Sequence, residues 1–384
     1  MSEITALILA GGAGERIKLI TGGKPKTLLK LAGKYIIEYV LDNIRNAGIT
    51  RAIMVVNDPR EYEDIAIRYG KYMQIDLIPQ KLPEIEGAIL SVKDMIRSDF
   101  MLIYGDIIAP SDMYKELLYM YISNNNYGIV LIPEEELETY GAAIISVAGK
   151  IQSFIEKPSR GTPNAYVIGG AFILPREFIE VLETSGSVIK ALDHINKKYR
   201  LKPYLWSGWW IDIGYPWDLL RASFYVLKQI NKTIISDSAA ISPKAVIDGP
   251  VIIEDKVEID HYAVIKGPAY IGKETYIGTH SLVRNYVTLE GGNIIGAYCE
   301  IAWSNIQKNA SIGRGSYIGF SIIGSEAVIE PGVTTLNILP KHMRPVRAIE
   351  LSKRGKEYVK LGAIIGHKAR VPAGKILKPG EEIR

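Results

Sequence analysis

AISPKAVIDGPVIIEDKVEIDHYAVIKGPAYIGKETYIGTHSLV, residues Ala240 to Val283, places a large aliphatic side chain at every sixth position. The series Ile241, Ile247, Ile253, Ile259, Ile265, Ile271, Ile277 and Val283 runs on unbroken through Leu289, Ile295 and Ile301. A mostly small residue stands two positions before each, from Ala239 and Ala245 to Asn293 and Cys299. After one-residue slips the series resumes at Ile306, Ile312 and Ile318, and again at Ile323 and Ile329. A helix repeats about every 3.6 residues and a strand about every 2, so neither produces this spacing. A hexapeptide parallel β-helix does, because each hexad forms one side of a coil and turns its aliphatic residue into a shared core. Residues 340–360 interrupt the repeat with a charged stretch, expected as a solvated loop insertion bearing Lys353, Arg354, Lys356 and Lys360. Leu361–Gly380 reads as one further coil. Cys299 fills a small-residue slot and is expected to be structural.

Upstream the pattern changes. Thr5–Leu9, Ala52–Val56, Ile75–Ile78 and Phe100–Tyr104 read as buried strands, with Ile36–Ala47, Tyr62–Tyr69 and Ala88–Arg97 as the helices between them. This alternation predicts an α/β domain, a Rossmann-like mixed, mostly parallel sheet with helices on both faces, followed by the parallel β-helix. The expected domains are residues 1–232 and 233–384. Ligands of such sheets lie beyond the carboxyl ends of the strands, so the loops after Leu9 and Tyr104 are the first candidates for chemistry.

Composition narrows the function. Hydrophobic residues make up 47% and charged residues 23% of the 384, proportions of a folded chain with ample core. A net charge of +4, from 46 basic and 42 acidic residues, is too balanced to point to nucleic acid or a membrane surface. One cysteine excludes an internal disulfide and a cysteine-rich zinc site. The opening MSEITALILAGG has no basic n-region and its apolar run stops at Gly11, so neither a signal peptide nor a membrane span is expected, and a cytoplasmic location is. Fifty-nine isoleucines against five glutamines suit a thermophile, where labile amides are few.

LILAGGAGER, Leu7 to Arg16, sets a glycine-rich turn directly after the first strand. Glycines let backbone N–H groups approach phosphate oxygens, and Arg16 adds a charge-assisted fork. Ile17 stands where a dinucleotide fingerprint has its third glycine, and no G-x-x-x-x-G-K-[ST] run occurs. The next stretch is KPKTLLKLAGKYIIEYVLDNI, Lys24 to Ile44. Further on come Gln80, Gly105-Asp106, Tyr140-Gly141, Glu156-Lys157-Pro158 and WIDIGYPWDLLRAS, Trp210 to Ser223. In this order the motifs resemble the sugar-1-phosphate nucleotidyltransferase family, which joins a nucleoside triphosphate to a sugar phosphate and releases pyrophosphate. The hexads behind them resemble members with a left-handed β-helix, including archaeal forms and the bifunctional N-acetylglucosamine-1-phosphate uridylyltransferases.

In-line attack on the α-phosphorus builds charge on the bridging and leaving oxygens, so cations must be in place beforehand. The resemblance implies Leu9, Ala10, Gly11, Gly12 and Gly14 as the nucleotide loop and Gln80 as the reader of the base edge. Arg16 would face the leaving pyrophosphate and Lys26 the α-phosphate. Asp106 and Asp212 match the positions that hold Mg²⁺, a cation of oxygen ligands. Either aspartate alone is more often a turn residue; the pair in family order is what carries the assignment. Gly141, Glu156, Lys157 and Ile168 match the sugar-phosphate positions, where a carboxylate orients hydroxyls and a lysine supplies charge.

Three positions depart from the family pattern. Glu15 replaces a threonine in the loop. Glu84 and Ile85 fall where Gly and Thr approach the nucleotide, and a carboxylate there repels a triphosphate unless it is turned away. Ile168 replaces a sugar-contacting asparagine, which argues against an N-acetyl sugar. An acetyl-transfer site is also incomplete. Arg284 and Asn337 match, but Arg314 stands for the general-base histidine and Ala302 for a lysine, and arginine does not act as a base at neutral pH. His261, His280, His342 and His367 are isolated in the repeat and are expected to be structural. The expectation is therefore an Mg²⁺-dependent enzyme using UTP or dTTP with glucose 1-phosphate, without acetyltransferase activity, assembled as a homotrimer through the β-helix. The alternative is a catalytically silent regulatory subunit that binds a nucleotide or NDP-sugar. Glu84 and Ile85 favour it, while the retained Arg16, Lys26, Asp106, Glu156, Lys157 and Asp212 oppose it.

Overall fold

The computed structural model describes residues 4–12, 14–134, 137–340, 349–353 and 356–384, and the chain divides into two compact units. One comprises Met1–Ala13 with Ile37–Trp210, the other Gly14–Ile36 with Ile211–Arg384.

The first unit is built on a nine-stranded sheet. Its parallel part is β1 (Thr5–Leu9), β2 (Arg51–Val56), β3 (Gln74–Pro79) and β4 (Phe100–Tyr104), close to the spans expected. β5 (Gly128–Ile132), β6 (Gly141–Ile145), β7 (Ile151–Glu156), β8 (Ala165–Leu174) and β9 (Lys202–Leu205) complete it. The order is β7-β6-β8-β4-β1-β2-β3, with β5 pairing both β8 and β9. β8 runs antiparallel to β4, β5 and β6, which makes the sheet mixed. β1 and β4 are continuous apolar runs because helices cover both faces of the sheet. The helix α1 (Ile36–Asn46) buries Ile37, Val40, Leu41 and Ile44 completely, the one-sided stripe its spacing predicts.

One helix differs from expectation. After α2 (Glu63–Tyr69), the helix α3 spans Glu84–Leu90 rather than Ala88–Arg97. Pro83, with φ −66°, starts it, and the Ser91 hydroxyl donates to the Gly87 carbonyl at 2.7 Å and draws the chain into turns. Val92 and Ile96 are buried from those turns, so the apolar spacing continues after the helix has ended.

In the second unit three parallel sheets stack along the left-handed β-helix. Ile259, Ile277 and Ile295 pair in register, so three hexads make one coil. Ile265, Ile271, Ile277, Val283, Leu289, Ile295 and Ile301 are all fully buried. Each contributes roughly 1.5–3 kcal/mol of burial free energy, shared only with neighbouring coils. The slips in the repeat fall at one corner. Asn285 and Tyr286 both take positive φ there, whereas the next coils have only Trp303 and then Phe320 in that conformation. Stacking of Trp303 on Phe320 at 5.4 Å, and its tilted contact with Tyr286 at 4.4 Å, offset some of that backbone strain.

Cys299 is buried, and burial pushes its thiol up, as a structural role requires. The charged insertion is a correction. Ile349–Lys353 and Lys356–Lys360 pair as an antiparallel hairpin, with Ile349 and Val359 buried. Lys360 is not simply solvated, because its Nζ donates to Asn337 Oδ1 at 3.0 Å. Ile349 pairs with Lys360 and Val359 with Glu350, so the two buried residues stand on opposite faces and the charges beside them hid the hairpin. Arg354, the side chains of Lys353 and Lys356, and His342 lie outside the described residues.

Candidate active site

Register in the first unit brings its loops together. Leu9 pairs with Tyr104 and with Val55, so the chain leaves β1, β2 and β4 at neighbouring points of one carboxyl edge. Ala10 donates its N–H to Val55 at 2.8 Å, and Gly105 donates to Leu9 at 2.8 Å, fixing the glycine loop beside Asp106. Gln80 follows β3 at the same edge, its N–H bonded to Val56 at 2.7 Å. Gly11 lies so close that an added Cβ would stand 2.1 Å from Gln80 Oε1 and 3.1 Å from Asn57 Oδ1. Gln80 Nε2 donates to the Leu82 carbonyl at 2.8 Å and the Glu84 carbonyl at 3.0 Å, which holds the amide against the loop. Leu9, Ala10, Gly11, Gln80 and Asp106 thus form one group, with Gly12 exposed beside it. Asn57 was not singled out from sequence; its place after β2, beside the expected glycine loop, was the available signal. Tyr114, from the helix α4 (Ser111–Asn124), was missed as well. It is fully buried, burial and the Asp106 carboxylate push its phenol up, and its hydroxyl has no hydrogen-bond partner among the described residues.

Glu84 takes φ +64° as α3 begins. A left-handed non-glycine residue costs about 1–2 kcal/mol. The backbone here therefore has the shape a glycine adopts freely, and the exposed carboxylate is what departs from the family pattern.

The sugar-side residues form a second group in the same unit. A Cβ on Gly141 would meet Ile168 Cδ1 at 3.3 Å and Glu156 Oε2 at 3.5 Å. Lys157 donates its N–H to Tyr140 at 3.0 Å, and its Nζ stands 3.8 Å from Glu156 Oε1. Tyr140 packs edge-on against Trp210, whose Nε1 donates to the Gly169 carbonyl at 3.0 Å.

The second unit holds Gly14, Arg16, Lys26 and Asp212. Gly14, with φ +60°, admits the Lys26 stem, since an added Cβ would be 3.3 Å from Lys26 Cβ. The Arg16 guanidinium lies 5.1 Å over the Tyr215 ring, which stacks on Trp217 at 4.7 Å. Glu15 pairs with Lys18 at 3.6 Å, both side chains being largely exposed. Asp212 precedes Gly214, and Asp218 accepts from the Gly214 and Tyr215 N–H groups at 3.0 and 2.7 Å. That buried cap fixes the Asp212–Tyr215 turn at the head of α7 (Asp218–Leu227), the helix that follows α5 (Glu177–Ser185) and α6 (Val188–Tyr199) of the first unit. Tyr215 was not singled out from the sequence, though it sits inside the WIDIGYPW motif.

Asp106 and Asp212 are both half-buried carboxylates at strand ends, the hard oxygen donors that magnesium takes. Each side chain, taken in its own unit, is by its chemistry a fitting ligand for such an ion.

A family model described as nucleotidyl transferase matches residues 5–229. The chain belongs to this nucleotidyl transferase family. The bifunctional protein GlmU of Methanocaldococcus jannaschii is 31% identical over 98% of this chain and 91% of its own length. The bifunctional sugar-1-phosphate nucleotidylyltransferase/acetyltransferase of Sulfurisphaera tokodaii is 29% identical over 98% and 94%. Among solved structures, a UDP-glucose pyrophosphorylase complexed with UDP-glucose shares the fold, with TM-score 0.53 and 22% identity over 59% of this chain and 99% of its own. A putative glucose-1-phosphate thymidylyltransferase from Bacillus anthracis gives TM-score 0.51 and 22% identity over 57% and 93%. The nucleotidyl transferase match takes in every proposed site residue, from Leu9 to Asp212, and identifies the protein as a nucleotidyltransferase. No helix among the described residues is long and apolar enough to cross a membrane.

Proposed function

We propose that the protein joins UTP or dTTP to a hexose 1-phosphate, glucose 1-phosphate first, and releases pyrophosphate. The observation that carries this reading is the packing of Gln80 against Gly11 beside Asp106 at one strand edge. The loop N–H groups bind phosphate oxygens, and Gln80 meets the base. Arg16 and Lys26 neutralise the triphosphate, Arg16 toward the leaving pyrophosphate. Glu156 takes sugar hydroxyls beside the small Gly141, Ile168 presents an apolar wall, and Lys157 holds the sugar phosphate. Asp106 and Asp212 would hold magnesium, which would supply charge stabilisation at the phosphates. No side chain serves as a covalent nucleophile. The β-helix serves assembly, with a trimer as the proposed state.

Acetyl transfer is left out of this reading although similar proteins are named as bifunctional. Arg314 is exposed where a base is needed, and Asn337 is bonded to Tyr317 Oη at 2.9 Å and to Lys360. His280 stacks between Tyr262 and Tyr298, His261 meets Tyr262 at a tilt, and His367 packs on Gly22.

Pyrophosphate release is measured for five nucleoside triphosphates against glucose, galactose, mannose and N-acetylglucosamine 1-phosphates, at room temperature and hot. Thiol release from acetyl-CoA with glucosamine 1-phosphate is followed in parallel. The expected result is turnover in one or two cells of the grid and no thiol. Silence throughout, from folded protein that binds nucleotide, would establish the regulatory reading instead.

Glu84→Gly tests the departure most directly. Removing a left-handed side chain stabilises the fold by about 0.5–1 kcal/mol, net of the added freedom of the unfolded chain. Removing its charge lowers the KM for the triphosphate by a few-fold, on the order of 1 kcal/mol at a solvated surface. An unchanged KM would place the carboxylate away from the nucleotide.

A further inference from the structure

Outward-facing positions of a solenoid are ordinarily solvated, yet Thr288, Glu290, Asn305 and Gln307 are at most 3% exposed. The segment Lys30–Tyr35 of the same unit lies over Glu290 and Gln307, and the helix α7 packs on the strand that carries Asn305. Lys30–Leu31 and Lys34–Tyr35 pair as a tight antiparallel hairpin whose tip, Ala32-Gly33, has φ +47° and +87° at its two residues. Positive φ at both tip residues marks the primed turn that suits strand twist, and alanine takes it only under strain. Glu290 holds that tip. Its Oε1 accepts from the Ala32 N–H at 2.8 Å and its Oε2 from the Gly33 N–H at 2.9 Å. Gln307 clamps the hairpin base, accepting from the Lys30 N–H at 3.1 Å and donating to the Lys30 carbonyl at 2.8 Å. Asn305 braces Gln307 and is itself bonded to Thr288 at 2.7 Å. Upstream of the hairpin, His367 donates its N–H to the Leu19 carbonyl at 2.8 Å and packs against Gly22. Lys26 lies between these anchors.

A buried carboxylate is costly, and here the two hydrogen bonds from backbone, the Thr288 hydroxyl and the Lys30 charge are its compensation. Neither Glu290 nor Gln307 has a part in the chemistry proposed above, and an apolar solenoid face would be a simpler way to bind an arm. We propose that Glu290 and Gln307 are positioning residues for nucleotidyl transfer, holding from the β-helix the hairpin that sets where Lys26 stands. This rests on the reading that Lys26 meets the triphosphate. The β-helix is then part of the catalytic scaffold as well as a means of assembly.

The test compares full-length wild type, Lys26→Ala, Glu290→Gln and Gln307→Ala in steady-state kinetics for both substrates, with thermal unfolding and amide hydrogen exchange. Glu290→Gln is isosteric but offers only one acceptor for two N–H groups. The expected result is faster exchange at Ala32 and Gly33 and a fall in kcat of at least about tenfold, since small misplacements of a reacting group cost that much or more. The KM for the sugar phosphate should stay within about twofold, as the hairpin reaches catalysis only through Lys26. Gln307→Ala gives the same pattern and decides the matter if Glu290→Gln fails to fold. Faster exchange with unchanged kcat, while Lys26→Ala is inactive, overturns the positioning role alone. Wild-type activity in Lys26→Ala overturns the reading of Lys26, and the positioning role falls with it.

Discussion

Asp106→Ala lowers pyrophosphate release by about three orders of magnitude, the scale of losing one principal stabiliser of developing charge. Asp106 follows Gly105, whose N–H is bonded to Leu9 at 2.8 Å, which sets it beside the glycine loop. Alanine at a half-buried strand end removes that carboxylate and little packing, so thermal unfolding should shift by no more than a few degrees. Asp112→Ala serves as the control, a carboxylate of the same region that is 68% exposed, and should retain full activity. Asp106→Asn keeps the shape with half the donor capacity and should fall between. Activity of Asp106→Ala near that of wild type, with added magnesium in excess, would remove Asp106 from the site and leave Asp212 to be tested separately.

Gly33→Ala should bring the next largest loss. Its φ of +87° makes any side chain strained, and an added Cβ would lie 2.4 Å from Tyr270 Oη and 2.7 Å from Cζ of the ring. Tyr270 is 5% exposed and has little room to swing aside. Left-handed backbone costs about 1–2 kcal/mol and overpacking about 1–3 kcal/mol more. Gly23→Ala isolates the first cost, because Gly23 has φ +89° and nothing within 4 Å of an added Cβ. Urea unfolding should separate the two variants by about 1–3 kcal/mol, the overpacking share. Nucleotidyl transfer should fall much further in Gly33→Ala. Tyr270→Phe added to Gly33→Ala should recover part of both losses. Equal losses at the two glycines would mean that the hairpin is not seated on Tyr270.

Much of this protein was legible before any coordinates. The hexads predicted the β-helix because in a solenoid each inward residue meets only its counterparts one coil away, as Ile259, Ile277 and Ile295 do. Strand ends were legible for a similar reason: β1 and β4 are buried on both faces and read as unbroken apolar runs. Motif order then placed Gly11, Gln80 and Asp106, which the structure brings together, and Gly141, Glu156 and Ile168, which it also groups. Less legible were features whose cause lies elsewhere in the chain. The span of α3 depended on Pro83 and a Ser91 hydroxyl bond, while Val92 and Ile96 prolonged the apolar spacing beyond it. The charged insertion concealed a hairpin, since its buried residues among the described side chains, Ile349 and Val359, stand on opposite faces and leave no apolar stripe to read.

By itself the sequence determined the two architectures, the order of the site motifs and the family, all written in local spacing. Only tertiary structure decided what covers the solenoid. Glu290 and Gln307 occupy an outward position at which other coils carry Gly272 and Gly324, and nothing in a six-residue period says that an outward glutamate is buried. Its burial comes from the Lys30–Tyr35 hairpin, some 250 residues distant in the chain. Periodicity reports which way a side chain points; only the fold reports what waits there.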